Sequence, residues 1–231
     1  MKRFYKEALP IALDGGFGIA LDAKPIKTPL KAPLVVPTSA LAGAIAEEWA
    51  AQGDYIAREA MRLTRLACTA LDRAIAQRDV LLDELANYAQ TDLLCYRADQ
   101  PARLAERQEA AWDPLLAWAA DTYGATLTVT KGVRPVEQPR EAVARLRAAA
   151  GAHDAFHLTA LHLATGASGS LVVALAMIAG RLDAEAALQA SQIDEAFQIE
   201  QWGDDPVLEA RRALLRADLE AASLAVRLLG A

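Results

Sequence analysis

The chain has three histidines, and two of them, His153 and His157, stand four residues apart with Asp154 beside the first. On a helix that spacing puts both imidazoles on one face, where they can grip a metal while the acid serves as base, as in a His-Glu-x-x-His arrangement. The match is imperfect. Asp is one methylene shorter than Glu, the string follows Gly151-Ala152 at a helix start, and His162 falls five residues past His157, off the face. A metal-dependent enzyme using His153, Asp154 and His157 therefore competes with a structural or solvent-exposed role for these side chains. Gly15-Gly16-Phe17-Gly18 lacks the strand, turn and helix order of a phosphate loop and reads as a hairpin. Gly166-Ala167-Ser168-Gly169-Ser170 lacks the Gly-x-Ser-x-Gly spacing of a nucleophile elbow and reads as a helix break with close packing.

The elements that carry these residues are mostly helical. Of 231 residues, 54% are apolar and 53 are alanine, while aromatics are only 6%. That mixture favours helix and disfavours sandwiches and disorder. A net charge of −6 argues against a whole-surface nucleic-acid or anionic-membrane binder. Cys68 and Cys95 form neither a disulfide framework nor a zinc knuckle, which fits a reducing cytoplasm. Residues 155 to 180 carry no Asp, Glu, Lys or Arg over 26 positions, long enough to span a bilayer. Three glycines and a run of hydroxyl side chains inside it favour two buried helices of a soluble bundle, broken near Gly166 to Ser170.

The first 37 residues read differently. Phe17, Ile19 and Leu21 alternate after the turn signal Asp14-Gly15-Gly16, and Asp22-Ala23-Lys24-Pro25 makes a second turn. Pro29, Pro33 and Pro37 restrict the adjoining segment to edge strands or extended connections. Thr38 and Ser39 can cap a helix with Leu41, Ile45 and Trp49 on one face and Gly53 as its stop. Pro101 opens a later helix that Pro114 is expected to kink or interrupt. Leu127 and Val129 alternate as a short strand, and Arg216 can pair with Glu220 on the last helix.

One helix, expected from Asp183 to Gly203, is apolar on two sides. Ala186, Ala190, Ile193 and Phe197 form a core stripe, while Leu188, Ile199 and Trp202 gather around Glu195 on the other. Such a helix is either sandwiched in a bundle or turns one face to a partner. A carboxylate among apolar residues needs a hydrogen-bonding or cationic mate, inside the chain or on another protein.

Seven ordered blocks resemble the Atp12 family of chaperones for the F1 sector of ATP synthase. They are Leu21-Asp22-Ala23-Lys24-Pro25 with Thr28-Pro29; Pro37 with Glu48-Trp49-Ala50-Ala51-Gln52-Gly53; Leu63-Thr64-Arg65-Leu66-Ala67; Thr91-Asp92-Leu93-Leu94-Cys95-Tyr96-Arg97; Gln108 to Trp112-Asp113-Pro114-Leu115; Gly169-Ser170-Leu171; and Asp194-Glu195-Ala196-Phe197-Gln198 through Trp202-Gly203. Departures are Arg62 where Pro is expected and Cys68 where Asn is expected. The resemblance implies an α+β protein, with a small N-terminal β-rich domain carrying one helix over residues 1–60 and a larger all-helical domain over 61–231. It implies binding of the free F1 α subunit, shielding its interface until the β subunit replaces the chaperone, with no catalysis, cofactor, metal, nucleic acid, membrane span or small-molecule substrate. Glu195 is the residue most expected to bind the partner, with Gln198, Ile199 and Trp202 beside it. Trp49, Asp92, Arg97 and Trp112 are expected to hold the domains and the helical core. The start at Met1-Lys2-Arg3-Phe4-Tyr5 resembles a bacterial, cytoplasmic member, and a structural adaptor resident in the mature complex is a further alternative.

Overall fold

A computed structural model describes residues 1–132, 134–203 and 205–230. The fold is α+β, with a small antiparallel sheet near the N-terminus and helices through most of the remainder. By packing, the chain forms two compact units. One comprises Met1–Arg78, Asp154–Ala160 and the chain end from Leu224; the other comprises Asp79–His153 and Leu161–Ser223.

The first unit contains β1 (Ala8–Leu13), β2 (Gly16–Leu21) and β3 (Lys24–Pro25), in the order β1-β2-β3. Leu13 faces Gly16 across an Asp14-Gly15 turn, the sequence-expected hairpin. Glycine is required at position 16, where a Cβ would stand 2.5 Å from the Val36 carbonyl oxygen. The second turn carries Asp22 and Ala23 at φ 47° and 67°. There the Asp22 carboxylate accepts the backbone N–H groups of Lys6 and Glu7, each at 3.0 Å, and those bonds hold its pKa below the usual range. The middle strand is buried on both faces from Gly18 to Leu21. Helix α1 (Ser39–Ala50) packs on β1 and β2 and is capped by Thr38, whose hydroxyl oxygen accepts the Leu41 N–H at 3.2 Å. The helix ends at Ala51 in right-handed conformation, so Gly53 is not its stop. Helix α2 (Arg62–Thr69) comes next and runs into a π-helical turn, Ala70–Ala74.

The second unit is built from α3 (Arg78–Gln90), α4 (Ala102–Tyr123), α5 (Arg140–Gly151), α6 (Ala155–Ser168), α7 (Leu171–Ile178), α8 (Ala184–Ser191), α9 (Ile193–Trp202) and α10 (Pro206–Leu229), of which α6 and α10 also contribute to the first. The uncharged stretch is two helices, α6 and α7, broken at Gly169 with φ 71°. All residues from Leu171 to Met177 are buried. No helix among the described residues is long and apolar enough to cross a membrane. Ser170 caps α7 through its hydroxyl oxygen, which accepts the Val173 N–H at 3.0 Å.

Three local expectations change. Helix α4 runs through Pro114 without interruption; the carbonyl that loses its N–H donor to the proline belongs to Ala110, an exposed residue. The short strand lies at β5 (Thr130–Lys131), paired in parallel with β4 (Tyr96–Arg97), one step beyond Leu127 and Val129. Arg216 pairs with Glu185 on α8, at 3.1 Å, rather than with Glu220, because a neighbouring helix offers a two-point carboxylate.

Candidate functional site

Helix α9 is fixed from one side and open on the other. Gln108, fully buried on α4, donates to the Asp194 carboxylate at 2.6 Å and accepts the Ala98 N–H at 2.7 Å. Arg107 forms a two-point pair with Glu200 at 2.7 and 2.8 Å, and its guanidinium lies 5.4 Å from the Phe197 ring centre. Phe197 is the buried anchor of the helix. These tethers join residues 86 and 93 positions apart, so no local pattern in the sequence could reveal them. The only local signal is Gln108 at helical spacing between Leu104 and Trp112.

At 100° per residue, Gln198, Trp202, Glu195 and Ile199 share about 100° of arc opposite Phe197. The structure brings these four onto one face. Gln198 is exposed, Glu195 and Ile199 are half-buried, and Trp202 is 80% exposed. Glu195 makes no hydrogen bond or ion pair among the described residues. An indole this exposed leaves its large apolar surface in water, which burial against a partner would remove.

The continuous helix expected from Asp183 to Gly203 is instead two. Gln192, at φ −120° and ψ 26°, leaves the helical region and separates α8 from α9. The rotation takes Leu188 off the Glu195 face and into the core, where it is 1% exposed. Asp183 still caps the first piece, accepting the Ala186 N–H at 2.7 Å. On its inner edge α9 borders a groove of about 770 Å³, lined by residues that include Arg107, Pro114, Arg181, Ile193, Ala196 and Arg212.

The other singled-out residues organise cores. Asp92 is fully buried, and its two oxygens accept the N–H groups of Leu94 at 3.1 Å and Val172 at 3.2 Å. Burial raises its pKa to about 6 against the opposing pull of Ser170, Leu94, Val172 and Leu171. Arg97, 2% exposed, donates to the Leu94 carbonyl at 2.9 Å and to Asp113 at 2.7 Å and lies 5.1 Å from the Trp112 ring centre. Trp112 donates its indole N–H to the Ala190 carbonyl at 2.7 Å. Trp49 belongs to the first unit, half-buried against Tyr5, Leu21, Ile56 and Met61.

The histidine string does not assemble as the metal reading requires. Helix α6 starts at Ala155, so His153 lies before it and the helical i, i+4 argument no longer applies. Asp154 instead caps the helix, accepting the N–H groups of Phe156 at 2.8 Å and His157 at 3.0 Å, with its second oxygen 2.6 Å from His157 Nδ1. His162 pairs with Glu84 at 2.8 Å. Among the described residues, no group of three or more His, Cys, Asp and Glu side chains could hold a metal ion.

Comparison with known proteins identifies the family. The family described as ATP12 chaperone protein matches residues 2–120. The crystal structure of Atp12 from Paracoccus denitrificans is 43% identical, with a TM-score of 0.91 over 99% of this chain and 98% of that one. A crystal structure of an Agrobacterium tumefaciens protein is 38% identical, with a TM-score of 0.93 over 99% of this chain and 86% of that one. The mitochondrial protein atp12 of Schizosaccharomyces pombe is 25% identical over 218 residues, covering 87% of this chain and 74% of that protein. With the family match spanning half the chain and the Paracoccus structure alike over nearly its whole length, this chain belongs to the Atp12 family of chaperones.

Proposed function

We propose that this chain is an assembly chaperone for the F1 sector of ATP synthase that holds the free α subunit and yields it to β. The reading rests on its membership of the Atp12 family, and the observation that carries it to a place on the molecule is the outer face of α9. Trp202 is 80% exposed there, beside Gln198, Ile199 and a Glu195 that has no mate among the described residues. An unassembled subunit exposes an apolar interface, and a chaperone must cover it with a surface that is itself apolar at the centre. Glu195 supplies a specific acceptor at the middle of that face, so that a cationic or N–H donor of α satisfies it on binding.

No nucleotide chemistry is needed for release. The β subunit gains contacts with α that the chaperone cannot offer, and mass action then favours the finished assembly. The bacterial relatives support a cytoplasmic site of action, where α is synthesised.

Co-expression with F1 α, with and without β, tests the proposal. α is expected to stay in solution as a complex with this chain and to leave it when β is supplied. α that remains dispersed without this chain, or a chain found at stoichiometric amounts in mature F1, would defeat the transient-chaperone reading.

A further inference from the structure

Three segments converge on one cavity of the first unit. Ile26, Thr28 and Pro29 come from the segment after β3, Trp49 from α1, and Met61, Thr64 and Arg65 from the start of α2. They enclose about 550 Å³, a volume typical of small-molecule sites. The inner lining is apolar, with Leu34 1% and Met61 2% exposed.

The charge of the lining is one-sided. Lys27, Lys31, Arg58 and Arg65 stand around it, and among the described residues no Asp or Glu does, in a chain whose net charge is −6. None of the four cations has an ion pair among the described residues. Two carboxylates bond to lining residues, but neutral donors occupy both. Glu48 accepts the N–H groups of Leu63 and Thr64 and the Thr64 hydroxyl at 2.7 to 2.8 Å. Asp72 accepts the Thr28 hydroxyl at 2.6 Å and the Leu30 N–H at 3.1 Å. The Cys68 thiol adds no negative charge, since burial first and Asp72 second push its pKa up to about 11. Four like charges at the mouth of a low-dielectric hollow raise each other's energy and concentrate anions there. Within the lining, the Trp49 indole Nε1 is buried without an acceptor among the described residues, so a ring movement toward one in the cavity would recover a hydrogen bond.

We infer that this cavity is a binding site for a small organic anion, a phosphate or carboxylate carried on an apolar body. The apolar body lies against Ile26, Leu34, Trp49 and Met61, and the anionic group meets the four cations at the mouth. The molecule is proposed as a ligand rather than a substrate, because the Cys68 thiol in the lining has its pKa pushed up to about 11 and is not an activated nucleophile.

The Trp49 indole resonance in a nitrogen-15 NMR spectrum of the full chain, assigned with Trp49→Phe, reports occupancy directly. The probe is 1-naphthyl phosphate, with 1-naphthol and inorganic phosphate as its two halves. A saturable shift with the whole probe is expected, with each half binding at least about tenfold more weakly, since hydrogen bonds to charged groups and buried rings each contribute on that scale. The double variant Lys31→Glu and Arg58→Glu changes only exposed side chains and is expected to weaken the probe about tenfold or more at unchanged thermal stability. An unmoved Trp49 resonance at millimolar probe, or equal affinity in the charge-reversed chain or for 1-naphthol, would overturn the site. Loss of α capture by the charge-reversed chain, with no probe binding by the original, would assign the cations to a protein partner and overturn it too.

Discussion

Asp92 and Glu195 are both carboxylates set among apolar residues, and the structure treats them oppositely. Asp92 is fully buried at the start of α7, with both oxygens engaged by backbone N–H groups. Glu195 is half-buried on the outer face of α9 and has no mate in the described chain. A buried acid that is satisfied internally is a fixture of the fold; an acid left at a surface beside an exposed indole can be completed by another molecule. The difference separates stability from recognition, and each residue can be tested against the other's role.

The largest effect on folding is expected at Asp92. Asp92→Ala leaves two buried N–H groups without acceptors and should lower stability by roughly 2–6 kcal/mol, about 1–3 for each orphaned group, measured by urea unfolding. A smaller effect comes from pH. The folded pKa of Asp92 is raised to about 6, so between about pH 4 and 6 the folded state binds more protons than the unfolded one, and stability falls as pH rises through that window. Asp92→Asn should remove this contribution to the slope while turning an amide donor toward the Val172 or Leu94 N–H. A slope unchanged in the variant would mean that Asp92 is not the group responsible.

Next comes Asp154, whose capping role predicts a loss of about 1 kcal/mol in Asp154→Ala. Partial burial raises its pKa, but the His157 N–H and ring and the Phe156 N–H outweigh that and hold it low. Its contribution is therefore present above the unfolded carboxylate pKa and lost as pH falls through the folded one. A Tm series in acid checks this, and a variant as stable as the original would remove the cap from the account. The smallest effect on folding is expected at α9. Glu195→Lys and Trp202→Ala should change stability by no more than about 0.5 kcal/mol, yet weaken α capture about tenfold or more if these are central contacts. Intact capture, or a collapse in Tm, would place Glu195 with Asp92 instead.

Much of this was legible in the sequence because it is local. The caps Thr38 and Asp183, the Asp14-Gly15 hairpin and the broken uncharged stretch all depend on residues within a few positions of one another. Helical spacing puts Glu195, Ile199 and Trp202 on one face but leaves open whether that face is buried or exposed, and Gln198 joins them through the family resemblance. The features that escaped involve distant partners or breaks without a punctuating residue. Gln192 ends α8 with neither glycine nor proline, so the sequence reads one helix and puts Leu188 on the wrong face. The Gln108–Asp194 and Arg107–Glu200 tethers and the first-unit cavity are assembled from segments whose proximity only the fold creates.

The burial of α7 bears on how the chain survives its own synthesis. A helix with no charged residue is, while nascent, as adhesive as the surfaces a chaperone exists to cover. Its two main packing neighbours are α4, already made, and α8, which begins six residues after α7 ends. At translation rates of roughly 5–20 residues per second, α8 is complete about one to three seconds after α7. The order of helices along the chain thus lets the uncharged α7 be covered from both sides soon after it is made.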